Sequence, residues 1–201
     1  MKGIKLSLFC IILLICGNTH AQSSACSPAN WEDSYFFRLK SQSDSVIVWS
    51  RDYRLSYDDF QAPPQFAHPK PDTLAVCGYE LWYKFKFSAN QMKVRIYAVF
   101  MRKRSWMRVK EPRILEHEQG HFDIAEVYAL KLQKEMDSCW IKNPAEFMQY
   151  FNNRYRQTES DCDAEQSKYD ILTEPVISRE YYFKWIKEQL DSLYAPTVSG
   201  K

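Results

Sequence analysis

His117 and His121 stand four residues apart in the run Ile114-Leu115-Glu116-His117-Glu118-Gln119-Gly120-His121-Phe122-Asp123-Ile124-Ala125-Glu126, and a glutamate follows the first of them. Four residues is about one helical turn, so the two imidazoles project roughly 40° apart on one face and can share a metal ion, with Glu118 about 100° from His117. A hydrolytic zinc site takes two imidazoles from such a helix and a third protein ligand from elsewhere. It keeps an open position for a water that a carboxylate can deprotonate. This spacing assigns His117 and His121 as ligands of Zn2+ and Glu118 as general base. With four histidines in 201 residues, chance should produce the pattern on the order of once in a few hundred such chains.

The residues around the motif form one apolar stripe: Leu115, Phe122, Ala125, Ala129, Leu132 and Met136 recur at three- and four-residue steps. Glu118 falls inside that stripe. A carboxylate there is costly to bury unless paired, and partial desolvation raises its pKa toward the range a general base needs. Asp123 and Glu126 lie well round the helix from His121 and read as ordinary polar or ion-pairing positions.

The helix needs a frame. Pro112 suits its first turn, and the periodicity runs to about Asp137. Upstream, Ser45-Val46-Ile47-Val48-Trp49 reads as a strand. Leu74 to Phe87 and Met92 to Met101 alternate as half-buried antiparallel strands joined by the polar link Ser88-Ala89-Asn90-Gln91. The prolines from Pro63 to Pro71 mark a connection. Two more helices are expected near residues 144–168 and 178–193. Strands followed by helices give an α+β fold, a small antiparallel meander packed on the long motif-bearing helix.

Residues 1–21 have the layout of a secretory signal peptide: Lys2 and Lys5, an apolar run from Leu6 to Cys16, then Thr19-His20-Ala21. Cleavage after Ala21 leaves residues 22–201 as one domain, secreted or periplasmic, with no transmembrane segment. Lipid attachment at Cys16 is disfavoured by the bulk of Ile15. A net charge of +2 implies no nucleic-acid or anionic-membrane partner, and Arg102-Lys103-Arg104 reads as a solvated strand end. Cys26, Cys77, Cys139 and Cys162 remain, an even number in a compartment that permits disulfides. Cys139 with Cys162 is the favoured pair, leaving Cys26 for Cys77. Thiolate ligation of zinc is disfavoured, because no two cysteines have a C-x-x-C spacing.

The run Leu115 to Glu126 resembles the signature of domain-of-unknown-function family 922, predicted secreted zinc-dependent proteases. Trp49 followed by Leu55-Ser56-Tyr57-Asp58-Asp59-Phe60, Ser105-Trp106, Tyr169-Asp170, Thr173 and Trp185 agree with it, so that the likeness spans about residues 45–190. The resemblance implies a metal-dependent peptidase acting on a peptide or protein substrate, with His117 and His121 as ligands and Glu118 as base. It also exposes a departure. Relatives carry a histidine and glycine just after the position of Glu174, where this chain has Pro175-Val176. The third ligand is therefore open between His68, Glu174 and other carboxylates from Glu159 to Asp170. Two functions follow: a secreted zinc hydrolase, or a non-catalytic envelope binding or scaffold protein that keeps the frame but has lost a ligand.

Overall fold

The computed structural model describes residues 45–64, 73–88, 91–173 and 176–195. Strands β1 (Val46–Val48), β2 (Ala75–Val76), β3 (Tyr79–Ser88), β4 (Gln91–Met101) and β5 (Trp106–Met107) precede helices α1 (Pro112–Asp137), α2 (Pro144–Thr173) and α3 (Val176–Tyr194). The fold is α+β, as the order of patterns predicts. One antiparallel sheet has the order β1-β4-β3, and β2 pairs with β5 in a second. The segments 1–44, 65–72, 89–90, 174–175 and 196–201 lie outside the described residues, and with them the expected signal peptide, Cys26, His68, Glu174 and Pro175.

Local chemistry explains two differences from the expected strands. Ser88 pairs with Gln91, so these polar residues continue the ladder instead of leaving it, and the connection is two residues long, not four. The run expected as one strand from Leu74 to Phe87 divides at Cys77-Gly78 into β2 and β3. There the chain exchanges β5 for β4 as its partner: Gly78 N–H donates to Ser105 Oγ at 2.9 Å, and its carbonyl accepts from Met101 N–H at 2.7 Å. A Cβ on Gly78 would come within 3.0 Å of Arg104 Cβ and 3.2 Å of its carbonyl, which is why the smallest residue stands at the division.

The helix α1 begins with Pro112 in its first turn and is laid across the sheet by its expected stripe. Phe122, Ala125, Ala129, Leu132 and Met136 join Leu81, Val94, Ile96, Ala98 and Phe100 in one buried core, closed at one end by Phe147 and Phe151 of α2. A second cluster, Ile124, Val127, Cys162, Tyr169, Tyr182, Ile186 and Leu190, binds α1 to the rest of α2 and to α3. No helix among the described residues is long and apolar enough to cross a membrane.

Because β1 is short, it covers only Val99 to Met101 of its neighbour β4. Polar side chains of α1 take over the exposed backbone groups beyond it. Gln133 accepts from Ile96 N–H at 2.9 Å and donates to Val94 O at 3.1 Å, while Glu126 accepts from Ala98 N–H. A buried N–H left unpaired would cost on the order of 1–3 kcal/mol, so these contacts replace a missing strand. Glu126 is thus a buried group and not the ordinary polar position its place in the sequence suggests. Asp123 is also buried, although it does pair with Arg54 at 2.9 Å.

The Cys139–Cys162 bridge does not form, and both thiols are free. Cys162 lies eighteen residues beyond the start of α2 at Pro144, about 27 Å along the axis. Cys139 precedes that start, and a disulfide tolerates Cα separations only to about 7 Å. Cys162 instead packs near Tyr79 and Gln166. Arg102 reaches back to Asp59 at 2.8 Å, while Lys103 and Arg104 are exposed after β4, in keeping with a solvated strand end.

Glu126 carries a pH signature. Burial pushes its pKa from 4.5 up to about 7, against the hydrogen bonds from Tyr194 Oη and Ala98 N–H that lower it. Below the ordinary value both folded and unfolded chains hold the proton. As pH rises toward 7 the unfolded chain releases it first, so folding loses about 3 kcal/mol, fully felt above pH 7. Glu126→Gln is expected to raise the thermal midpoint by roughly 6–12 °C at pH 8 and to leave it nearly unchanged at pH 4.5. A lower midpoint at pH 8 would refute this assignment.

Candidate metal centre

The imidazoles of α1 point at the last turns of α2. His117 Nε2 and His121 Nε2 lie 3.1 Å apart, and Asp170 Oδ1 stands 3.3 Å from the first and 3.0 Å from the second. These three donors form a group able to hold a metal ion. Tetrahedral coordination with bonds of about 2.0–2.1 Å places neighbouring ligand atoms about 3.3 Å apart, close to the separations seen. The histidines are half-buried, and the Asp170 side chain keeps 45 % of its exposure, so the group opens to solvent on the Asp170 side.

The second ring nitrogens fix the tautomers. Gln166 donates its Nε2 to His121 O at 2.9 Å, which leaves Oε1 to accept from His121 Nδ1–H at 2.5 Å. Thr173 Oγ1 donates to Tyr169 O at 2.6 Å and so accepts from His117 Nδ1–H at 3.2 Å. Both imidazoles therefore turn a lone pair inward from Nε2, toward each other and toward a carboxylate. Three acceptors in mutual contact repel unless a cation, a proton or a metal ion, sits among them. Gln166→Ala is expected to weaken metal binding by about 10- to 100-fold without unfolding the chain. Titration against a chromogenic chelator measures it, and an unchanged affinity would remove Gln166 from the site.

Charge states follow the same geometry. Burial opposes ionisation of Asp170, but hydrogen bonds to His117 and His121 and their charge outweigh it and hold the carboxyl well below its usual range. For His121 burial works downward, and Asp170 and Glu118 more than offset it, so its pKa is raised. Glu118 is 4 % exposed. Burial raises its pKa, against the lowering effect of both histidines and of a hydrogen bond from Cys77 N–H. The division between β2 and β3 thus presents backbone to the glutamate across the head of α1.

Tyr169 holds the partition between the helices. Its ring stacks on His117 at 4.8 Å and 15°, its hydroxyl donates to His117 O at 3.1 Å, and it is fully buried. Gly120 gives it room: a Cβ there would lie 2.1 Å from Tyr169 Oη and 2.6 Å from Cζ. A cavity of about 650 Å³, lined by Trp49, Arg54, Leu115, Gln119, Phe183 and Ile186 among others, is on the back of α1. Leu115 and Gln119 each precede a histidine by two residues, about 200° round the helix, so this space is not the approach to the metal group.

The structure brings together all three residues expected from the motif and adds Asp170, which sequence reasoning left among several carboxylates. It also adds Gln166, Tyr169 and Thr173. Their spacing, with steps of three and four, places polar groups on the face of α2 that is apolar at Phe147 and Phe151, and this was the signal available. His68 and Glu174 lie outside the described residues. No family model, no curated protein and no solved structure matches this chain.

Proposed function

We propose that this protein is a zinc-dependent hydrolase, a peptidase acting after export and cleavage near Ala21. The resemblance to family 922 belongs to the same proposal. The observation that carries it is Asp170 Oδ1 beside His117 Nε2 and His121 Nε2, three inward lone-pair donors on two helices. This set supports a metal with three protein ligands and needs no histidine near residue 175, where the scaffold reading placed its loss.

Bound zinc would supply Lewis acidity toward a carbonyl oxygen and make water more acidic at neutral pH. The chain's own groups do the rest. Gln166 and Thr173 keep Nδ1 protonated, so that each Nε2 remains a ligand. Glu118, desolvated and oriented by Cys77 N–H, takes a proton from the attacking water and passes it to the leaving amine nitrogen. The Asp170 side, being open, is where an extended substrate enters.

Metal content of the chain expressed without residues 1–21 tests the reading, alongside His117→Ala and His121→Ala. About one zinc in the parent and near none in the variants is expected. Hydrolysis of a protein substrate that disappears in a metal-loaded Glu118→Gln chain then identifies the base. A parent that takes up no metal from excess zinc would overturn the hydrolase and leave a binding or scaffold protein.

A further inference from the structure

The cavity of about 650 Å³ on the back of α1 has no part in the metal group, and its lining is polarised from end to end. At one end Arg54 pairs with Asp123 at 2.9 Å, while Arg51 and Lys187 share Asp191 at 3.2 and 2.6 Å, so three cations meet two carboxylates. Arg54 spends one nitrogen on its pair and keeps 69 % of its side chain exposed, which leaves donors over for an anion. At the other end the one charge in the lining is Glu116, which has no ion pair or hydrogen bond among the described residues, and Arg113 one turn earlier does not pair with it. Asp123 lies seven residues beyond Glu116, about 10.5 Å along α1 and only about 20° round it, so the two ends are about that far apart. Between them the walls are apolar, with Leu115 on α1 and Phe183 and Ile186 on α3. The floor carries an unspent donor. Gln119, 9 % exposed, accepts from Leu55 N–H at 2.8 Å and gives one amide hydrogen to Asp123 at 2.8 Å, and its second amide hydrogen has no partner among the described residues.

We propose that this cavity binds a short peptide with both termini free, about three residues long, its carboxylate at Arg54 and Lys187 and its ammonium group at Glu116. Three extended residues span about 10 Å, the separation of the two charged ends. The central side chain, aliphatic or aromatic, fills the space between Leu115, Phe183 and Ile186, and a peptide carbonyl accepts the spare hydrogen of Gln119. Other small ligands fit the lining less well. A fatty acid would suit the cationic end but lay its tail beside Glu116, and a single amino acid is too short to reach both ends. His117 and His121 project from the opposite side of α1, so the bound peptide is out of reach of the metal group. The cavity is therefore a binding site apart from any cleavage, and it stands whether or not the metal group is catalytic. Its walls come from the segment Trp49 to Tyr57, from α1 and from α3, so occupancy joins three parts of the chain.

Calorimetric titration with the tripeptide Ala-Leu-Ala tests the site, in a Glu118→Gln chain so that no hydrolysis consumes the ligand. One site with a dissociation constant below about 1 mM is expected. Acetylating the amino terminus, amidating the carboxyl terminus, or replacing the central leucine by glycine should each weaken binding about tenfold. Adding Glu116→Gln should cost the free tripeptide the same factor and cancel the effect of acetylation, and Arg54→Gln should shrink the effect of amidation. Both side chains are exposed, so neither change removes a core contact. No binding up to about 10 mM peptide, or equal binding of the acetylated and free forms, would overturn the proposal. Binding that survives Glu116→Gln unchanged but is lost in His117→Ala would overturn it as well, by placing the peptide at the metal group.

Discussion

Asp170→Ala is expected to leave a folded chain that no longer holds its metal. A four-ligand zinc site is worth on the order of 10–16 kcal/mol, so one ligand carries roughly 3–4 kcal/mol and its loss weakens binding about a hundred- to a thousandfold. Purified variant should then contain little zinc, and hydrolysis should fall in step. The side chain is half-exposed and at the rim of α2, outside both large apolar clusters, so its removal deletes no core contact. Asp170→Asn separates ligation from charge: an amide oxygen still fits the space but binds metal more weakly. Full metal content in Asp170→Ala would show that Asp170 only pairs with the histidines, and a different third ligand would be required.

Gly120→Ala should be strongly destabilising, although the same change in an ordinary helix interior stabilises by up to about 1 kcal/mol. The added methyl meets the hydroxyl of Tyr169 and the ring carbon bearing it, not the end of a flexible chain. That ring cannot turn aside, because His117 stacks on it and Tyr182 packs at 5.1 Å beyond. Relief requires α2 to move outward from α1. Overpacking of this kind costs typically 1–3 kcal/mol, and the movement carries Asp170, one residue along, away from both histidines. Metal affinity and the unfolding midpoint should therefore fall together, and Tyr169→Leu in the same chain should recover part of the midpoint by clearing space. A Gly120→Ala chain as stable as the parent, with unchanged metal binding, would contradict the tight contact.

Much of this arrangement was legible in advance, and the reason is periodicity. Pro112 and the stripe from Leu115 to Met136 delimit α1 at both ends as found, and the position of Glu118 within the stripe predicts its burial. These are properties of one helix. Asp170 depends on how two helices cross, which spacing within either does not specify, so it stayed in a group of carboxylates. Asp123 makes the expected ion pair with Arg54, but both it and Glu126 are buried, because α1 is enclosed by the sheet, α2 and α3 and not by the sheet alone, so polar groups away from the stripe still lose solvent. The room at Gly120 belongs to Tyr169, forty-nine residues later, and cannot be read locally.

The paired contacts of Gln133 with Ile96 and Val94, and of Glu126 with Ala98, have a consequence for association. A strand margin with vacant donors and acceptors is a template on which other chains polymerise, and proteins commonly defend it with charges, prolines or bulges. Here an amide and a carboxyl from a helix mimic the missing peptide groups and close the template from within. An incoming peptide cannot add to β4 on that side, in the native state or in the crowded encounters that seed fibrils. Losing Gln133 would unmask it, and solubility would suffer before shape did.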